Sequence, residues 1–91
     1  MENMKVIIPE TILWRKDGDQ AVLFDEERGE PYLLNDTAAR VWELCQHPVC
    51  VGEIINALAA EFEGETQTIK KETLDLLSRL EEKKLLRLVV P

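Results

Sequence analysis

PYLLNDTAARVWELC, residues 31–45, decides the fold, because the spacing of its apolar residues changes within the segment. Residues 31–34 form a short β-capable run, and Asn35-Asp36 then offers side chains that cap the first turn of a helix. Further on, apolar residues recur at steps of three and four, which is the period of one helix face. These residues are Leu34, Ala38, Val41, Trp42 and Cys45. The segment therefore predicts a strand that leads directly into a first helix.

Upstream of this segment, a turn signal separates two apolar runs. Residues 11–16 (TILWRK) and 20–24 (QAVLF) flank Asp17-Gly18, a dipeptide typical of tight hairpin turns. Gly29 can adopt positive φ in a second turn that leads into residues 31–34. The pattern predicts three strands in an antiparallel meander.

Pro31 at the start of the third strand has two interpretations. Proline has no N–H to give to a ladder, so prolines in sheets collect at strand starts and on edge strands. Either Pro31 marks a third strand with a free side, or it only closes the preceding turn.

Two more helices are expected downstream. After Gln46-His47-Pro48 interrupts the first helix, a second apolar stripe runs from Val51 to Phe62 and ends near Gly64. Cys50 occupies the N-cap position with Glu53 three residues on. This is capping-box spacing with a poor capping residue, so we expect a weak cap.

The third helix is predicted to begin around Thr68 and to carry two lines of side chains. The core seam is Ile69, Thr73, Leu76 and Leu80. A second line, at steps of four, three and four, is Lys70, Leu74, Leu77 and Glu81. Either this line forms a second surface, or the core is simply wide and Leu74 is partly exposed.

Two short runs near the ends of the chain are also β-capable. They are Lys5 to Ile8, which is ambiguous, and the run LLRLVV after Lys83-Lys84, which would add a strand or a wing beside the hairpin. The elements together predict an α+β, winged-helix-like fold. It is one domain, residues 1–91, with a three-stranded antiparallel sheet followed by three helices and a short C-terminal strand.

Composition excludes several classes of function. Eighteen acidic against eleven basic side chains give a formal charge of -7, which repels phosphate backbones, so we expect no nucleic acid. No apolar run approaches the ~18 to 20 residues that span a bilayer. The start MENMKVIIPE lacks the features of a secretion signal. We expect a cytoplasmic protein that binds no membrane and keeps Cys45 and Cys50 reduced.

The usual catalytic patterns are not present in the sequence. His47 is the single histidine, and it has no evident orienting partner for nucleophilic catalysis. Cys45, His47 and Cys50 match no strong zinc template. No Gly-rich phosphate loop and no HExxH motif occur. We therefore expect no enzyme activity and no cofactor.

Residues 32–44, YLLNDTAARVWEL, resemble the PqqD family of pyrroloquinoline quinone biosynthesis. The shared pattern is Tyr-x-Leu-Asn-x-Thr-Ala-x-x-(Val/Ile)-Trp-x-Leu. The resemblance continues through residues 51–55 and 77–86 and covers nearly the whole chain from Leu13 onward. The sequence departs from the family at Cys50, where Thr or Ser is usual, and at His47-Pro48, where a Gly is common.

The resemblance implies a non-catalytic recognition element, or chaperone, for ribosomally made peptides that are later modified. In that family the leader of a precursor peptide adds a strand to the third β-strand and rests in the groove beside the third helix. A peptide-modifying enzyme, often of the radical SAM type, then acts on the peptide. We expect a monomer or weak dimer, with these peptide-binding residues: Pro31, Tyr32, Leu33, Leu34, Lys70, Lys71, Leu74, Leu77 and Glu81.

Two other functions remain open. A winged-helix transcriptional regulator or protein docking module predicts a dimer with a positive stripe, yet the third helix begins with only Lys70 and Lys71. A thiol or metal sensor built on Cys45, His47 and Cys50 predicts tight zinc uptake with proton release.

Overall fold

In the computed structural model, which describes residues 2–91, the chain forms three helices and two three-stranded antiparallel sheets. None of the helices in this range is both long and apolar enough to cross a membrane. The strands are β1 (Lys5–Ile7), β2 (Ile12–Asp17), β3 (Gln20–Asp25), β4 (Pro31–Leu34), β5 (Val49–Cys50) and β6 (Arg87–Val89). The helices are α1 (Asp36–Leu44), α2 (Val51–Glu61) and α3 (Thr66–Glu82).

The first sheet is the predicted meander, in the order β2-β3-β4. Strands β2 and β3 form a hairpin in which Asp17 pairs with Gln20 across a two-residue turn. Gly18 has φ of +63°, a value that costs a residue without Cβ little, so the Asp-Gly signal acts as expected. The α+β fold class is confirmed.

The second sheet has the order β5-β1-β6 and corrects one expectation. The C-terminal run forms β6, but it pairs with β1, where Val6 faces Leu88, and not with the hairpin. Lys5 to Ile7 is a strand and also pairs with the short β5. Local propensity marks runs that can become strands, whereas the choice of partner depends on where the chain returns in space.

One cluster of apolar side chains joins both sheets to the helices. The seam predicted on α3 is confirmed: Thr73, Leu76 and Leu80 are buried, and Ile69 packs against the cluster. Leu77 is also fully buried, so the core is wider than that seam. The largest fully buried side chains are Trp42, Leu23, Ile54, Leu58, Leu77, Leu80 and Leu86.

N-terminal capping holds the first turns of α1 and α2 next to the strands that precede them. Asn35 Oδ1 accepts a hydrogen bond from the Ala38 N–H at 2.9 Å, an N-cap that stabilises α1 by about 1 kcal/mol. At α2, the Cys50 N–H donates to Glu53 Oε1 at 3.1 Å, and this bond lowers the pKa of the Glu53 carboxyl. The end of β4 is therefore held at the first turn of α1.

Helix α3 ends in a Schellman motif built on a lysine. The Lys84 N–H donates to Glu81 O at 2.9 Å, and the Leu85 N–H donates to Leu80 O at 3.0 Å. Lys84 has φ of +61°, where glycine is the usual residue. The motif turns the chain sharply after α3 and leaves Lys83 on the side of the helix that faces β4.

Candidate binding site

Strand β4 has a partner on one side only. Within the described chain it pairs with β3 alone, and Leu33 lies opposite Val22 while Tyr32 lies opposite Leu23. The side of β4 away from β3 is therefore an open sheet edge. The segment around Leu33 is not enclosed between two strands of its own sheet, which is what strand addition requires.

The register shows which backbone groups face this edge. Ladder bonds in an antiparallel pair involve every second residue. The Glu26 N–H donates to Thr11 O at 3.1 Å, so the even-numbered residues of β3 bond to β2 and the odd-numbered ones face β4. Because Leu23 pairs with Tyr32, the backbone of Tyr32 faces inward and that of Leu33 faces the open edge.

The open edge thus presents the N–H and C=O of Leu33 and the C=O of Pro31. Pro31 lies opposite Phe24, an even-numbered residue of β3 that bonds to β2. A backbone N–H at position 31 would therefore also point outward. A proline at that position costs the β3–β4 ladder no hydrogen bond. Pro31 follows the turn and lies on an open edge, so the first interpretation, a third strand with a free side, describes the structure.

Side chains along β4 alternate between the core and solvent. Leu34 is buried and Tyr32 packs against the core, whereas Leu33 is 75% exposed. A large apolar side chain with that exposure lies directly beside the free backbone groups. The strand therefore combines an unpaired edge with an uncovered apolar side chain.

Two clefts separate β4 and the start of α1 from α3. The first, which we call the Lys83 cleft, is lined by Pro31, Tyr32, Lys83, Leu85, Asp25, Arg28 and Glu30. The second, the Asp75 cleft, has a volume of about 270 Å³ and is lined by Asn35, Thr37, Ala38, Glu72, Asp75, Leu76 and Arg79. The face of α3 toward the open edge therefore carries charged residues at positions 72, 75, 79 and 83.

The residues predicted on α3 mostly occupy the opposite face. Lys70 Nζ lies 2.9 Å from Glu2 Oε2, and Glu81 Oε2 accepts a hydrogen bond from the Leu88 N–H at 2.8 Å. Glu72 and Glu81 are nine residues apart, which at roughly 100° per residue is half a turn of the helix. Lys70 and Glu81 thus point toward the N-terminal segment and β6 and away from β4.

The other three predicted residues on α3 are not brought to the edge either. Leu77 is fully buried, Leu74 packs against the core, and Lys71 is exposed outside both clefts. Pro31 to Leu34 all belong to the edge strand, but Leu34 is buried and its backbone, opposite Ala21, faces β3. The residues of α3 that line the clefts also follow helical spacing, at positions 72, 75, 76, 79 and 83.

Charge is distributed unevenly along the two clefts. Lys83 Nζ lies 5.6 Å from the centroid of the Tyr32 ring, within cation–π range, while Glu72 and Asp75 lie at the other end. Across residues 2–91, Glu72, Asp75, Arg79 and Lys83 form no ion pair. These charges are available to a bound partner.

Cys45 and Cys50 flank His47 in the segment between α1 and α2. In the part of the chain that the structure describes, no group of three or more His, Cys, Asp or Glu side chains is placed to hold a metal. Cys45 and Cys50 are both free, and burial raises the pKa of the Cys45 thiol to about 12. A thiol that stays protonated is a poor nucleophile and a poor ligand.

The sequence matches the family described as coenzyme PQQ synthesis protein D (PqqD) over residues 20–86, which include the open edge and all three helices. The chain belongs to the PqqD family. The resemblance of residues 32–44 to this family is thereby confirmed. No match was found among curated proteins.

Two solved structures share the fold of this PqqD family member. TbiB1 in complex with the TbiA(beta) leader peptide superposes with a TM-score of 0.84 and 26% identity, over 89% of this chain and 94% of that one. Lasso peptide synthetase B1 complexed with the leader peptide gives a TM-score of 0.74 and 22% identity, over 90% and 96%. The fold is therefore one on which leader peptides have been observed bound.

Proposed function

We propose that this PqqD family member binds the leader segment of a ribosomal precursor peptide as an added strand on β4. The observation that carries the proposal is the free N–H and C=O of Leu33 beside the two clefts along α3. Family membership supports it, as does the likeness to TbiB1, which was solved with a leader peptide.

Backbone pairing supplies attraction and the clefts supply selectivity. Main-chain hydrogen bonds to Leu33 and Pro31 are available to any extended peptide, so they cannot by themselves distinguish sequences. Sequence selectivity instead comes from side chains of the guest that reach Tyr32 and the face of α3. A disordered leader loses entropy as it orders, so micromolar or tighter binding needs a few well-buried anchors.

The helical side of the site is assigned to the face of α3 that borders β4. We propose that Glu72, Asp75, Arg79 and Lys83 contact the leader together with Pro31, Tyr32 and Leu33, because both clefts place them beside the edge. The exposed Lys71 lies outside both clefts and serves as a matched control for charge.

The protein presents the peptide and leaves the chemistry to a partner. The resemblance to the family implies a peptide-modifying enzyme of the radical SAM type acting on the bound precursor. This chain would then contribute binding alone, at a cytoplasmic stage of maturation. A DNA-binding role is less well supported, because Glu72 and Asp75 on the free face of α3 would repel phosphates.

The test is a titration of isotope-labelled protein with the leader of the precursor peptide encoded beside this gene. We expect changes in amide chemical shift at residues 31–35, along α3 from Glu72 onward and at Lys83 directly after it. Shifts confined to α2 and residues 45–50 would contradict the proposal.

Three variants make the titration specific. Leu33→Pro removes the outward N–H and should weaken binding about tenfold or more, the cost of one lost hydrogen bond and its unpaired partner. Leu33→Ala keeps the N–H and should weaken binding less. Lys16→Pro removes an outward N–H from β2, the other open edge, and should leave the affinity unchanged.

A further inference from the structure

An apolar cavity lies between the three helices, away from β4. It has a volume of about 350 Å³ and opens between the N-terminal turns of α1 and α3 and the end of α2. Its apolar lining comprises Val41, Leu58, Phe62, Ile69 and Leu76. Phe62 is 41% exposed, so the cavity has an uncovered aromatic wall. We call it the helical cavity.

The helical cavity is continuous with the proposed binding site. It shares Thr37, Glu72 and Leu76 with the Asp75 cleft, which begins at Asn35 directly after β4. An extended chain advances about 3.3 Å per residue, so a guest paired with Leu33 reaches Thr37 within a few residues.

Acidic side chains surround the opening. Glu63, Glu65 and Glu72 are the charged residues of the lining, and no lysine or arginine belongs to it. All three are exposed, and none forms an ion pair with a residue in the range 2–91. A purely apolar guest would leave these carboxylates unpaired, whereas a guest with basic residues next to an apolar one would complement both features.

We infer that the helical cavity holds an apolar or aromatic side chain of the leader peptide, flanked by lysine or arginine. This inference rests on the proposed function and adds a second anchor beyond the residues that pair with β4. The volume falls within the range of ligand pockets and accommodates a large side chain.

The test uses a random peptide library of about ten residues per member, long enough to span β4 and the cavity at ~3.3 Å per residue. Peptides selected on the full chain are titrated against labelled protein. We expect chemical-shift changes at Leu33 together with Phe62 and Ile69. Among the selected peptides, we expect enrichment of an apolar residue next to Lys or Arg.

Two variants, each with a control, test the two parts of the inference. Thr68→Trp fills the cavity and should weaken binding of the selected peptides about tenfold, since burial of one large side chain is lost; Gln67→Trp lies outside the lining and should not. Glu63→Lys reverses a charge at the opening and should weaken binding of the same peptides. The control, Glu10→Lys, makes the same charge change away from the cavity and should not.

The outcomes separate the two proposals. Selected peptides that change the amide chemical shift of Leu33 but not those of Phe62 and Ile69 would overturn the inference about the cavity, while the proposed strand addition would stand. Equal affinity for Thr68→Trp and Gln67→Trp would overturn it too. If no selected peptide shifts Leu33, the proposed function fails and the cavity loses its occupant.

Discussion

In the described chain the first sheet has two open edges, β2 and β4, and they differ in the charge of their side chains. By the register of the hairpin, β2 presents the outward backbone groups of Trp14 and Lys16, as β4 presents those of Leu33. Residues 15–17 of β2 are Arg-Lys-Asp, while β4 reads Pro-Tyr-Leu-Leu without a charge. Charged side chains discourage edge-to-edge pairing, so β2 is protected in a way that β4 is not.

An ion-pair network further distinguishes the β2 side. Lys16 Nζ lies 3.1 Å from Glu43 Oε1, Glu43 Oε2 lies 3.3 Å from Arg40, and Arg40 Nε lies 2.7 Å from Glu61 Oε1. The network links β2 to α1 and α2. On the β4 side, the charged residues along α3 face the clefts without such partners. Two edges of one sheet can therefore differ in availability although their backbones are equivalent.

The largest expected effect tests the assignment of inward and outward groups on β4. Tyr32→Pro removes an N–H that bonds to β3 and should lower the free energy of unfolding by about 2–3 kcal/mol, because a buried acceptor loses its partner. Leu33→Pro removes an outward N–H and should cost about 1 kcal/mol or less by the same reasoning. Denaturant unfolding of both variants measures the difference. Equal losses would show that the register inferred for β4 is wrong.

A smaller effect concerns the turn that holds Lys83 beside β4. Lys84→Gly should raise the free energy of unfolding by about 1 kcal/mol, because the left-handed conformation is costly for a residue with Cβ. Thermal or denaturant unfolding measures it. Lys83→Gly is the control, since Lys83 has negative φ and should lose stability instead. A loss of stability in Lys84→Gly would contradict the Schellman motif at the end of α3.

The smallest effect belongs to the ion pairs behind β2. Glu61→Gln should lower the free energy of unfolding by about 0.5 kcal/mol at neutral pH, because the pair with Arg40 is partly exposed. The hydrogen bond from Arg40 lowers the pKa of the Glu61 carboxyl in the folded protein below its usual value of 4.5. The stabilisation is therefore present above that value and disappears as the pH falls through the folded pKa.

Unfolding at a series of pH values checks this sign. The difference between the parent and Glu61→Gln should be full at neutral pH and vanish in acid. Glu10→Gln, an exposed residue without an ion pair in the described chain, should show no such trend. A difference that grew on acidification would contradict the assigned direction of the pKa shift.

Much of the fold followed from the sequence, and so did the location of Pro31, Tyr32 and Leu33 on an edge strand. The boundaries of β4, the Asn35 cap and the buried seam of α3 appear in the structure as their patterns predicted. The placement of the residues predicted on α3 did not follow. Periodicity identified a second line on α3 at Lys70 and Glu81, but the structure places that line toward Glu2 and Leu88.

The sequence by itself determined which residues form strands and helices and that β4 is an apolar strand beginning with proline. These properties depend on residues only a few positions away in the sequence, through side-chain periodicity, helix capping and backbone preference. Tertiary structure alone decided that β6 pairs with β1 and that Glu72, Asp75, Arg79 and Lys83 face the open edge. The first depends on where the chain returns in space. The second depends on how α3 is rotated about its axis when its core seam packs, and a helical pattern does not specify which flank then meets the sheet.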